Sequence, residues 1–317
     1  VSTEVAKLIA TKAYGVHRKR DLSELANRSG RGIAPSCMER HSNRIFEFKG
    51  GYDLLFEGDD CRICYRLSPN TGMPRDILAT ADSGAPVQPC SGGGIWLASG
   101  SRQMKPDESR ILSLDCDGAC VRIEALHIAG DVSATVTWEY SIEGKALVIQ
   151  ASSSDKTVAK FSLGRTVAEF RRTIDVPYLS YERLAYLPRQ GVFALGYIDW
   201  TSSHASQSPG RESTYIRKLD GELNSLRERG YVALSQEIGE VLPNIPHQAS
   251  PYMKLLSPKM MLDTWGGDFG ADTRLLERFK SYGIDELAVI KHVWQRYGYD
   301  TKLPDHIPAN PQWGGDE

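Results

Sequence analysis

From about residue 40 to residue 200 the chain is a series of short runs alternating apolar and polar residues, broken by turn signals about every ten residues. A strand of that kind buries one face only. Many of them in series, with no helical period between, leave a large antiparallel β-sandwich as the compact solution. The clearest run is TVTWEYSI (135–142), which puts Val136, Trp138, Tyr140 and Ile142 on one face and Thr135, Thr137, Glu139 and Ser141 on the other. Glu143-Gly144 then supplies a turn into KALVIQAS, predicting a hairpin. Further strands are expected at NRIFEFKG, YDLLFEG, CRICYRL, GIWLAS, RILSLDC, CVRIEAL, TVAKFSL, TVAEFRR and GVFALGYIDW.

Charge excludes some partners. With 38 basic and 40 acidic residues among 317, the net charge of −2 gives the whole molecule no reason to bind nucleic acid or an anionic membrane. No run approaches the roughly 18–20 apolar residues of a membrane span. No Gly-x-Ser-x-Gly elbow, Walker loop or dinucleotide fingerprint occurs, and no cofactor is expected. The six cysteines, Cys37, Cys61, Cys64, Cys90, Cys116 and Cys120, all lie in the first 120 residues. Cys61-x-x-Cys64 with Cys116-x-x-x-Cys120 has the ligand count of a zinc site. Yet residues three apart on a strand point to opposite faces, so buried thiols, or disulfides in an exported protein, are the expectation.

The texture changes twice more. Residues 1–30 read as a charged, weakly helical segment, 31–200 as the sandwich, and 201–257, polar and interrupted by Pro243, Pro246 and Pro251, as a connecting arm. After Pro258 the pattern becomes strand (MMLDTW), then a helix capped by Asp268 and stopped by Gly283, then a buried strand (ELAVIKHVW). That is one βαβ unit with parallel strands.

If such a unit belongs to a barrel, side chains at the C-terminal strand ends face the substrate. This selects Asp263, Trp265 and Asp268 after the first strand and His292, Trp294, Gln295 and Asp300 after the second. Indole rings stack on the C–H faces of sugars, while Asp, His and Gln bond hydroxyls. The same residues also fit a plainer account, with Trp265 and Trp294 as packing, His292 as a satisfied buried imidazole and Asp268 as a helix cap.

LDTWGGDF, HVWQRYGYDTKLPDHIPANP and GGDE resemble the first strand-and-loop units of a glycoside hydrolase barrel, close to the endo-α-N-acetylgalactosaminidase and α-N-acetylgalactosaminidase group, families 101 and 129. WEYSIEGKALVIQASSSD is similar to the galactose-mutarotase-like supersandwich that precedes such barrels. The resemblance implies a mainly β chain, a supersandwich followed at 258–317 by the first β/α units of an incomplete (β/α)8 TIM barrel. It implies a retaining α-glycosidase acting on α-N-acetylgalactosaminides or α-galactosides outside the cell, without cofactor or metal. The catalytic carboxylates of such enzymes come from later strands, and a complete barrel takes about 250 residues. The expectation is therefore an N-terminal fragment, inactive alone, whose carried-over residues are a sugar-binding rim. The competing expectation is a non-catalytic carbohydrate-binding sandwich.

Overall fold

The computed structural model describes residues 33–37, 39–82, 84–176, 183–244, 250–298 and 307–316. The helical segment expected at 1–30 lies outside these. Two compact units emerge, Val1–Pro246 and His247–Glu317.

The first unit is built of antiparallel sheets. Four strands, β1 (His41–Phe48), β2 (Gly51–Gly58), β3 (Arg62–Leu67) and β4 (Ile77–Ala81), pair in sequence order into one sheet. Then come β5 (Gln88–Ser91), β6 (Gly94–Ser99), β7 (Arg102–Met104), β8 (Glu108–Cys116), β9 (Val121–Ala129), β10 (Val132–Glu143) and β11 (Ala146–Ser153). The unit is completed by β12 (Val158–Ser162), β13 (Arg165–Val167), β14 (Arg172–Asp175), β15 (Arg183–Leu187), β16 (Val192–Ile198), β17 (Glu212–Thr214) and β18 (Leu226–Ser235). The largest sheet has eight strands in the order β14-β15-β16-β18-β11-β10-β9-β8, and a further four-stranded sheet runs β17-β12-β6-β7. The expected β-sandwich is thus the observed fold class.

Two expectations change. TVAEFRR does not form one strand, because β13 ends at Val167 and β14 begins at Arg172. The supposed connecting arm contains β18, ten residues long and paired on both sides, with β16 and β11. The LRERG start of this strand hid it: Arg227 points outward, whereas Glu228 is buried and accepts from the hydroxyls of Tyr215, Ser203 and Ser213. Desolvation raises the Glu228 carboxyl above its ordinary pKa, and the three hydroxyls act against that rise.

The main core lies on the face of the large sheet carrying Trp138, Tyr140, Leu147 and Ile149, packed with Leu54, Phe56, Ile63, Ile95 and Phe161 of the smaller sheets. Among the described residues, the opposite face is covered at one end, where Ala146, Val148, Leu195, Tyr197, Tyr231 and Ala233 pack with Ile33 and Val241. Strands buried on both faces read as continuous apolar runs, as in VFALGYI of β16.

Buried polar groups tie the layers together. The Tyr65 hydroxyl on β3 donates to the carbonyl of Lys145 at 2.7 Å and accepts from the Leu234 amide at 3.2 Å. Tyr140 donates to the Gly72 carbonyl at 2.6 Å. Glu143 pairs with Ala146, so Gly144-Lys145 forms a two-residue turn. Gly144 has φ +56°, and a Cβ there would meet Cys37 Cβ at 2.6 Å. Lys145, 2% exposed, bonds Asp60, Glu240 and Ser235. Desolvation opposes its charge, but these carboxylates outweigh that and raise its pKa.

All six cysteines are free thiols. Burial pushes Cys61 and Cys90 up to about 12 and Cys64 to about 11, so they stay protonated. No group of three or more His, Cys, Asp or Glu among the described residues could hold a metal ion. Nor is any described helix long and apolar enough to cross a membrane.

His127 on β9 is fully buried, accepting from Trp138 Nε1 at 3.0 Å on Nε2 and lying 2.9 Å from Ser109 Oγ on Nδ1. Indole only donates, so the ring is the neutral Nδ1–H tautomer, and Ser109 accepts. Desolvation and then the charge of Arg75 lower its pKa to about 4. The unfolded chain protonates near the ordinary 6.5, so stability is full above that pH and falls as pH drops towards 4, by up to about 3 kcal/mol. Urea unfolding followed between pH 7 and 4 is expected to show this loss, and His127→Gln to flatten that part of the profile. Lys145→Met, which strands two carboxylates, is expected to cost about 3–5 kcal/mol in the same assay. The double change Lys145→Met with Glu240→Gln should recover part of it.

Candidate functional site

The second unit begins with helix α1 (Pro251–Leu256), followed by strand β19 (Met260–Trp265), helix α2 (Phe269–Ser281) and strand β20 (Leu287–His292). The two strands are parallel, with Trp265 opposite His292 and Asp263 opposite Ile290. One βαβ unit is present as expected, and these two strands are its whole sheet among the described residues.

Alternation along the strands sets what each face carries. Thr264 and Lys291 share the face on which α2 lies, since Lys291 Nζ bonds Asp272 of that helix. Met261, Asp263, Trp265, Ile290 and His292 are on the other face. Contrary to the buried strand expected at ELAVIKHVW, no residue of β20 is buried, and Val289 and Ile290 are 46% and 43% exposed. Among the described residues, helix α2 covers one face of this two-stranded sheet. On the helix, Leu275, Leu276 and Phe279 are half-buried, whereas Tyr282 is exposed.

Three of the selected residues come together. His292 stacks on Trp265 with ring centroids 4.1 Å apart and planes 10° from parallel. Its Nε2 lies 2.9 Å from Asp263 Oδ1. Asp263 accepts a hydrogen bond from Nε2–H, which in the neutral ring leaves Nδ1 as the accepting nitrogen. Trp265 is 66% exposed. The cluster thus presents an indole, an imidazole and a carboxylate at the C-terminal end of a parallel sheet.

The remaining residues are placed elsewhere. Asp268 is the N-cap of α2, accepting from the Ala271 amide at 2.8 Å, which is its plainer role. Trp294, 37% exposed, accepts through its carbonyl from the Asn310 amide at 2.9 Å. Gln295 is buried and bridges to Ala309. These two sit where the chain after β20 is paired back by residues 308–310. Asp300 lies outside the described residues.

Two features beside the cluster were not singled out from sequence. Lys291 bonds the carbonyls of Gly266 and Gly267 as well as Asp272, and its ammonium lies 5.6 Å above Phe269 and 5.8 Å above Trp313. It fixes the loop after β19 to the end of β20. Gly266, at φ +68°, permits this loop: a Cβ there would meet the Trp313 ring at 3.2 Å. A lysine inside the apolar run AVIKHVW was the available signal. Val293 has φ +54°, an outlier for a β-branched residue that costs about 1–3 kcal/mol of local strain. It turns the chain immediately after His292, and no sequence pattern marks it.

No family model matches the chain, and no curated protein matches it. Solved structures of α-N-acetylgalactosaminidase NagBb from Bifidobacterium bifidum are similar at 11% identity. The complex with GalNAc has a TM-score of 0.47 and covers 86% of this chain and 55% of its own. The complex with Gal-NHAc-DNJ has 0.49, with 86% and 54% covered, and the ligand-free form 0.48, with 80% and 54%. The chain spans about half the length of these structures. At this identity and these scores no residue correspondence follows, and the site rests on its own geometry.

Replacing Lys291 by Met should free the Gly266-Gly267 carbonyls and loosen the turn by about 1–3 kcal/mol. Amide hydrogen exchange is expected to quicken across residues 263–272 and to stay unchanged in β10 and β11.

Proposed function

We propose that the strand-end cluster is part of a carbohydrate-binding rim, and that the chain belongs to a retaining α-glycoside hydrolase directed at α-N-acetylgalactosaminides or α-galactosides. The observation that carries this reading is the exposed Trp265–His292 stack held by Asp263. An indole face takes the C–H face of a pyranose, while a carboxylate and an imidazole at its edge bond the hydroxyls that desolvation would otherwise leave unpaired. Such substrates place the protein with enzymes that meet extracellular glycans.

One observation favours a second reading for the chain by itself, sugar binding without hydrolysis. Retaining hydrolysis takes two carboxylates about 5–5.5 Å apart. Asp263 is the one carboxylate within β19 and β20.

Titration of the purified chain with N-acetylgalactosamine is expected to give saturable binding that Trp265→Ala weakens about tenfold. Absence of saturable binding, or an unchanged affinity in that variant, overturns the rim. Release of nitrophenol from nitrophenyl α-N-acetylgalactosaminide supports the hydrolase over the binding module. Binding without release supports the module.

A further inference from the structure

Among the described residues, the large sheet carries a polar depression on the face away from the main core. Cross-strand register lines up Glu124 of β9, Thr137 of β10, Ser152 of β11 and Arg227 of β18. With strands about 4.8 Å apart, this row spans about 14 Å. His204 and Ser225 close one side of a depression of about 540 Å3 over it, and a second one of about 260 Å3 adjoins at Arg227. The larger volume lies within the about 300–1,000 Å3 of small-molecule sites.

The state of these groups sets the row apart from its neighbour. In the next row Arg122 pairs with Glu139, and Arg229 with Glu143. By contrast, the side chains of Glu124, Thr137, Ser152, His204, Ser225 and Arg227 have no hydrogen-bond or ionic partner among the described residues. Three empty strand gaps keep Glu124 and Arg227 too far apart to neutralise one another. The floor is also built rather than loose: Asp155 accepts from the Thr135 amide at 2.7 Å, and Ser153 donates to the Thr135 carbonyl at 2.6 Å.

From this we infer that the sandwich holds a second binding site, for a neutral polyhydroxylated ligand such as a short oligosaccharide lying across β9, β10, β11 and β18. A sugar hydroxyl both donates and accepts, and the row offers unpaired groups of both kinds: a guanidinium, a carboxylate, an imidazole and hydroxyls. Peptide docking by strand addition is ruled out here, because β10, β11 and β18 are interior strands whose backbone groups are already paired. Leu226 is the one apolar side chain that lines the depression, and it is buried, so an apolar ligand group would find little to pack on. Glu124 and Asp155 disfavour a polyanion, leaving Arg227 alone to receive one.

This site shares no residue with the Trp265 cluster, so the two are separable in the full chain. Maltotriose, a neutral trisaccharide without a galactose unit, and inorganic sulfate serve as probes in isothermal titration. Maltotriose is expected to bind with millimolar affinity or better, about −4 kcal/mol, to the parent chain and to the Trp265→Ala variant alike. Arg227→Ala and the blocking change Ser152→Tyr, both at exposed positions, should each weaken it at least about tenfold. Circular dichroism shows whether either variant is folded, and the other serves if one is not. No maltotriose binding, binding insensitive to both variants, binding lost with Trp265→Ala, or sulfate binding in place of maltotriose each overturns the proposal.

Discussion

A buried ammonium holds the sandwich in register. Lys145 sits in the turn between β10 and β11, yet its nitrogen is placed among Asp60 from the β2–β3 turn, Ser235 at the end of β18 and Glu240 just beyond it. Desolvating a lysine costs several kcal/mol unless the geometry around it is complete. Any slip of the central hairpin against the N-terminal sheet, or of β18 against β11, would leave that charge unmatched. Tyr65 adds a second tie at the same point, since its hydroxyl bonds the backbone of both Lys145 and Leu234. Three segments far apart in sequence are therefore fixed by one charge.

Once the hairpin is fixed, the large sheet is left unequal on its two faces. The face with Trp138 and Tyr140 is covered by the smaller sheets over β9, β10 and β11, with His127 kept neutral to satisfy the indole N–H. Among the described residues, the other face is covered where Ile33 and Val241 reach it. Beyond that cover, alternation sends Thr137, Ser152 and Arg227 outward. The polar row is thus a consequence of incomplete layering, and its register is as firm as the core on the reverse of the same strands.

The second unit solves a different problem. Among the described residues its two-stranded sheet carries helix α2 on one face, and Lys291 binds that helix and the β19 turn there. The other face keeps Met261, Ile290 and Trp265 exposed, with His292 half-buried beneath the Trp265 ring. Strain at Val293 fixes where the chain leaves β20. Exposed aromatic surface beside a hydrogen-bonding pair is what gives the cluster its recognition chemistry.

Periodicity alone revealed most of the strands, because a half-buried strand must alternate, as TVTWEYSI does, and a two-residue turn must supply its glycine, as Gly144 does. The βαβ unit, its Asp268 cap and its Gly283 stop were legible for the same local reason. Strand β18 was not, since the burial of Glu228 depends on hydroxyls from Ser203, Ser213 and Tyr215 that no local pattern connects to it. Nor could sequence separate Asp263, Trp265 and His292, which meet through parallel register, from Asp268, which caps a helix, or from Trp294 and Gln295, which pair with residues 308–310. Local sequence determined which residues form strands and turns, because those preferences act between near neighbours. The partners of Lys145, the polar row across four strands and the stacked cluster were decided by tertiary structure alone, because each depends on register between strands that the chain brings together only on folding.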